Sequence, residues 1–110
     1  MKNLKATLLF STFLFLSISC SNSKTNKEAF IKDLVKQMTL EEKVGQMTQV
    51  DKRMLDKNED IAEYFLGSIL SGGGSVPKNN TPEGWVEMVN SYQKQALSTR
   101  LKIPLIYGID

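Results

Sequence analysis

The apolar positions fall into segments with different periods. Phe30, Ile31, Leu34, Val35 and Met38 lie at helical spacing on one stripe, which predicts a helix from about Lys27 to Met38. Thr39 with Glu42 three residues later is a capping-box pattern, so a second helix is expected to begin there, with Leu40, Val44 and Met47 on its buried face. Gln49 to Asp60 is polar and carries no readable period. A short helix is expected over Asp60 to Leu66, ended by Gly67, followed by a short strand at Ser68-Ile69-Leu70. Ser71-Gly72-Gly73-Gly74-Ser75 can only be a loop, since three successive glycines offer no side chains to pack. Thr81-Pro82-Glu83 is a helix start: a cap, a proline at the first helical position, and an acid at the positive end of the dipole. Trp85, Met88, Val89, Tyr92, Ala96 and Leu97 continue that helix to about Ser98. Arg100-Leu101-Lys102 turns the chain, and Ile103 to Ile109, apolar with Pro104 near its start, suits a buried parallel strand.

Strand, glycine loop, helix, turn and strand in that order indicate βαβ units and a parallel sheet, an α/β fold. A parallel strand apolar on both faces needs neighbours. About 90 residues with two or three strands cannot close a barrel, which takes about 250, so the chain is expected to be a truncated piece of a larger fold.

The first 19 residues change the picture of charge. Lys2 and Lys5 form a basic start, and Ala6 to Ile18 is an uncharged apolar run of 13 residues, too short to span a bilayer, which takes about 20. Residues 1–19 therefore read as a signal peptide. Removing Lys2 and Lys5 from the 14 basic residues leaves 12 against 12 acidic ones. The net charge of +2 belongs to the signal, and no basic patch points to nucleic acid. Cys20 is the only cysteine, so no intramolecular disulfide forms. Leu16-Ser17-Ile18-Ser19-Cys20 resembles a bacterial lipobox, with leucine one step further from the cysteine than usual. Cys20 is thus the expected lipidation site. Ordinary cleavage nearby is the alternative. Residues 20–28 read as a polar tether and residues 29–110 as the folded portion. The chain has no histidine, and with one cysteine no zinc-type cluster can be drawn. No metal or cofactor is expected.

Few residues carry candidate chemistry. The glycine loop lacks the spacing of a dinucleotide fingerprint, and no Gly-Lys-Ser/Thr follows it as in a P-loop. It reads as a tight loop at the mouth of a sheet, whose glycines let backbone approach a ligand or another chain segment. Asp110 stands just after the apolar run Pro104 to Ile109, and ligand sites of parallel α/β folds gather at the carboxyl ends of strands. A carboxylate there can accept hydrogen bonds from two hydroxyls of one ligand. A strand-terminating Asp that caps a following helix is the other reading. Glu41-Glu42 and Glu59-Asp60 each read as a solvated helix face, not as the paired acids of glycoside hydrolysis, which flank one bond about 5 to 9 Å apart.

Met38 to Met47, Gly67 to Ser75 and Thr99 to Asp110, with Trp85 and Tyr92-Gln93 between them, resemble glycoside hydrolase family 3, in its branch of exo-acting β-glucosidases and β-glucan glucohydrolases. The likeness covers roughly Phe30 to Asp110. It implies that the chain is the N-terminal part of a (β/α)8 TIM-type barrel. It implies removal of β-linked glucose from the non-reducing end by a retaining mechanism, with an aspartate nucleophile and a glutamate acid/base both beyond residue 110. No catalytic residue is therefore expected within this chain. Asp110 matches the family aspartate that binds hydroxyls of the terminal sugar. The partners implied are an oligosaccharide or β-glucoside substrate and, through Cys20, a membrane. The location implied is the periplasm or cell surface. A β-N-acetylglucosaminidase of the same family and a non-catalytic sugar-binding surface lipoprotein are the alternatives. The Ser71 to Ser75 loop resembles the glucosidase branch.

Overall fold

The computed structural model describes residues 22–109. The signal peptide, Cys20 and Asp110 lie outside the described residues. The chain divides into two units, residues 1–36 and 37–110. The first is described as helix α1, Asn22–Gln37. It begins five residues before the expected start, and Phe30, Ile31 and Val35 lie exposed along it.

The second unit runs α2 (Leu40–Gln46), β1 (Gln49–Asp51), a 3-10 turn (Lys52–Met54), α3 (Asp60–Glu63), β2 (Ser68–Ser71), α4 (Pro82–Ser98) and β3 (Ile106–Ile109). The three strands form one parallel sheet in the order β1-β2-β3. Val50 pairs with Ile69, and Ile69 in turn with Tyr107. The alternation of parallel strands and helices expected from the sequence is present, with β1 as an additional strand. Its three residues are too few to show a period of two.

The capping box at α2 forms as its residues predict. Thr39 Oγ1 accepts from the Glu42 amide at 3.2 Å, and the Thr39 amide donates to Glu42 Oε2 at 2.8 Å. Arg100 Nη2 donates to the same oxygen at 2.7 Å and to the Gln37 carbonyl at 2.9 Å. These contacts hold the Glu42 carboxyl below the usual carboxylate range, the Thr39 amide contributing most and Arg100 next. They also turn Glu42 inward, to 5% exposure. Gly45 is buried beside it, because a Cβ there would stand 2.2 Å from the Tyr64 carbonyl oxygen. The helix thus packs its Glu42 and Gly45 side, and Leu40, Val44 and Met47 are exposed, contrary to the buried face expected for them.

Helix α3 is shorter than expected and ends without help from Gly67. Leu66 N–H reaches the Ile61 carbonyl and Phe65 N–H the Ala62 carbonyl, the paired bonds of a Schellman motif. Phe65, at φ 54°, holds the left-handed position that glycine usually fills. Gly67 is required for a different reason: a Cβ there would lie 2.1 Å from the Gln46 carbonyl oxygen. Asp60, expected on a solvated face, is buried, and its Oδ2 accepts from the amides of Asp56 and Lys57 at 2.9 and 3.1 Å.

Helix α4 starts as read, with Thr81 Oγ1 accepting from the Gly84 amide at 3.2 Å and Pro82 in the first turn. Tyr92 and Ala96 join Ile61, Leu66, Ile69 and Leu105 in the core, with Val50, Leu55, Met88 and Tyr107 packed against it. Gln93 clamps the chain entering β3: its Nε2 donates to the Leu105 carbonyl at 2.5 Å and its Oε1 accepts from the Leu105 amide at 3.0 Å. Regular pairing in β3 begins only at Ile106, later than expected, because Pro104 has no amide to donate. Ile106 and Ile109 are exposed rather than buried, since β3 is an edge strand among the described residues.

Candidate functional site

In a parallel sheet every strand delivers its carboxyl end to the same edge. Here that edge collects Asp51 from β1, Ser71 from β2 and Ile109 from β3, with Ser71 and Ile109 in register. The glycine loop leaves from the middle of this edge.

Asp51 caps the 3-10 turn that follows it. Its Oδ1 accepts from the Arg53 amide at 2.8 Å and from Arg53 Nε at 2.9 Å, and its Oδ2 from Arg53 Nη2 at 2.8 Å. The short polar side chain of an aspartate readily closes such a turn onto the backbone two residues on. The Arg53 guanidinium, then the Arg53 amide and to a smaller extent the Gly72 amide, hold the Asp51 carboxyl down at about 2. Asp51 is therefore an ionised acceptor at neutral pH and not a proton donor.

The loop is a tight turn. The Ser75 amide donates to the Gly72 carbonyl at 2.9 Å, and Gly73 and Gly74 have φ of +33° and +84°. Two successive positive φ values are those of a primed turn, which glycine adopts without a Cβ penalty. A Cβ at either glycine would meet nothing within 4 Å. These two glycines thus serve the backbone conformation, and among the described residues no other chain segment approaches them closely. The return arm is held by Lys52, whose Nζ donates to the Val76 carbonyl and lies 3.5 Å from Met88 Sδ. Ser75 is 5% exposed, and its Oγ is buried with no hydrogen-bond partner among the described residues. Ser71 Oγ accepts from Tyr107 Oη at 2.6 Å, and the Tyr107 ring packs on Tyr92 at 6.4 Å between centroids. Burial, with Tyr107 second, raises the Tyr92 hydroxyl above its ordinary value.

Of the residues singled out from the sequence, Asp110 and Cys20 fall outside the described residues, and Asp110 follows Ile109 directly in the chain. The glycine loop lies where a strand-mouth loop should. Among the described residues no group of three or more His, Cys, Asp or Glu side chains is placed to hold a metal ion. A cleft of about 660 Å³ opens beside Lys52, Pro77, Lys78 and Met88, and a second of about 670 Å³ is lined by Leu40, Val44, Val50 and Tyr64.

The family model for the glycosyl hydrolase family 3 N-terminal domain matches residues 39–110. The chain belongs to glycosyl hydrolase family 3. A lysosomal β-glucosidase of Dictyostelium discoideum is 32% identical to this family 3 chain over 107 residues, taking in 81% of this chain and 13% of that protein. The crystal structure of an exo-1,3/1,4-β-glucanase from a Pseudoalteromonas species superposes with a TM-score of 0.68 at 32% identity, over 76% of this chain and 11% of that one. A mutant form of the same glucanase superposes equally well, over 14% of its chain. The chain thus spans only 11–14% of the length of these relatives.

Sequence reasoning missed Asp51 and Lys52 as parts of this edge, whereas Ser75 lies in the loop it placed at the mouth of a sheet. The available signal was Asp51 two residues ahead of Arg53, an Asx-turn pattern, but without β1 nothing placed it at a strand end.

Proposed function

We propose that this chain is the N-terminal part of an exo-acting β-glucosidase that removes β-linked glucose from the non-reducing end of glucosides or β-glucans. In this reading the three parallel strands begin a (β/α)8 TIM-type barrel. The reaction is retaining, with nucleophile and acid/base further along a longer protein. Asp110 accepts hydrogen bonds from hydroxyls of the terminal sugar. The observation that carries the reading is the Ser71–Ile109 register. It sets the carboxyl end of β3, one residue before Asp110, beside the glycine loop, at the edge where barrel enzymes bind substrate. Identity of 32% to a β-glucosidase and to an exo-β-glucanase supports the glucoside as substrate. The test is hydrolysis of nitrophenyl β-glucoside and nitrophenyl β-N-acetylglucosaminide by the intact enzyme. Cleavage of the glucoside is expected. Cleavage of the N-acetylglucosaminide alone would transfer the chain to the other branch, and sugar binding without cleavage of either would make it a surface binder.

The same reading places the enzyme at the periplasm or cell surface. A basic start, a short apolar run and a cysteine at its end support export with acylation of Cys20.

A further inference from the structure

The glycine loop between β2 and α4 is the one motif singled out in the sequence whose chemistry the sugar-binding reading leaves unused. It carries no charged side chain, and Gly73 and Gly74 point no atoms toward a ligand. Its role must lie in where its backbone and Ser75 stand. The structure shows what decides that position. The outgoing arm continues directly from the end of β2. The returning arm is met at the Val76 carbonyl by Lys52 Nζ. Asp51 and Lys52 are consecutive residues, the last of β1 and the first of the 3-10 turn. The end of the neighbouring strand therefore grips the returning arm of the loop. Two backbone bonds, Ser75 amide to Gly72 carbonyl and Val76 amide to Gly74 carbonyl, each at 2.9 Å, close the turn ahead of that grip.

Alternatives to this role are weak. Lys52 meets no carboxylate among the described residues in the contacts it makes; its partners are a backbone carbonyl and the Met88 thioether. A lysine stem costs conformational entropy to immobilise, and here it is ordered to donate to one loop carbonyl. Among the described residues no side chain packs over its two glycines, so beyond its own backbone bonds the loop is held from outside by Lys52.

We propose that Lys52 is a positioning residue: it pins the Gly72–Val76 loop as a wall of the sugar site, and so governs how well the terminal sugar binds. The inference rests on the glucosidase reading for its substrate, though not for the tether itself. Lys52 touches no substrate. It acts through the loop, so its loss weakens binding more than turnover.

The experiment uses the intact enzyme with Lys52→Met, which keeps the apolar stem against Met88 and removes the donor to Val76, and with Lys52→Arg, which restores a donor. Two readouts are taken. Amide hydrogen exchange at Ser75 and Val76 in the ligand-free protein is expected to quicken severalfold in Lys52→Met and to return toward the parent in Lys52→Arg. KM for nitrophenyl β-glucoside is expected to rise about tenfold in Lys52→Met with kcat within about twofold, the scale of one ordering hydrogen bond, and to recover in Lys52→Arg. Unchanged exchange overturns the tether. Faster exchange with parental KM, or a lowered melting temperature as the sole effect, leaves Lys52 a structural residue and overturns the positioning role. A parent enzyme that cleaves no β-glucoside would sink the glucosidase reading, while the exchange measurement would still decide the tether.

Discussion

Lys102 closes the turn from α4 toward β3 with φ of 51° and its amide donating to the Thr99 carbonyl at 3.2 Å. An L-residue held left-handed costs about 1–2 kcal/mol, whereas glycine sits there freely and loses about 0.5–1 kcal/mol through its more flexible unfolded chain. Lys102 is exposed, so nothing else is lost when its side chain is removed. Lys102→Gly is expected to stabilise the protein by about 0.5–1 kcal/mol, read as a higher urea midpoint at unchanged slope. Asp110 is the residue on which the sugar-binding reading turns. Two hydrogen bonds to a charged acceptor are worth about 1.5–3 kcal/mol each. Asp110→Ala in the intact enzyme should therefore lower kcat/KM by about two to four orders of magnitude, at about 1.36 kcal/mol per decade, with the circular dichroism spectrum unchanged. A folded variant with parental kcat/KM would leave Asp110 a strand-end residue and no more.

Between elements, the joints are made by polar side chains reaching backbone groups or one another. Gln93 of α4 holds Leu105 before β3, Arg100 holds Glu42 at the start of α2, Asp51 closes the turn after β1 onto Arg53, and Lys52 holds the glycine loop. The Asp51 joint has a pH signature. Its carboxyl is depressed from 3.8 to about 2 in the folded chain. A depressed carboxyl contributes stability that is complete above its unfolded value and is lost as pH falls through its folded value. The contribution is thus expected to hold above about pH 4 and to fade toward about pH 2. Comparing urea midpoints of the parent and Asp51→Asn across that range should show a gap that is constant at the upper end and closes at the lower. A gap that does not narrow on acidification would mean that the Arg53 contact does not set the Asp51 charge.

At the scale of the whole molecule, β1 and β3 each leave one edge unpaired among the described residues, and Ile106, Ile109, Leu40 and Met47 are exposed. Such edges and apolar faces are normally paired or covered, consistent with our proposal that these strands open a larger barrel. The other whole-molecule question is attachment. One acyl chain binds a membrane only marginally, whereas two or more anchor it. If Cys20 is acylated, Cys20→Ala should move the intact enzyme from the membrane fraction to the soluble one. Equal partitioning of parent and variant would refute lipid attachment.

Local patterns were legible where the chain's own neighbours decide the outcome. Thr39 and Glu42 cap α2 because both partners lie within one helical turn. Thr81 and Pro82 start α4 for the same reason, and the glycines at 73 and 74 mark a turn because only they adopt its φ values cheaply. The order of strand, loop, helix and strand, and the likeness to family 3, could likewise be read from the residues alone. Other features depend on groups distant in sequence. Glu42 is buried where Arg100, 58 residues away, binds it, and Leu40 and Val44 lie outward against their periodicity. Gly67 is needed because Gln46 backbone packs on it, not because a helix ends there. Strand β1 exists because β2 offers it a ladder; three residues hold too little pattern to announce a strand. The grip of Lys52 on the glycine loop belongs to this second kind: a contact across 24 positions has no period, and only the folded sheet brings its partners together.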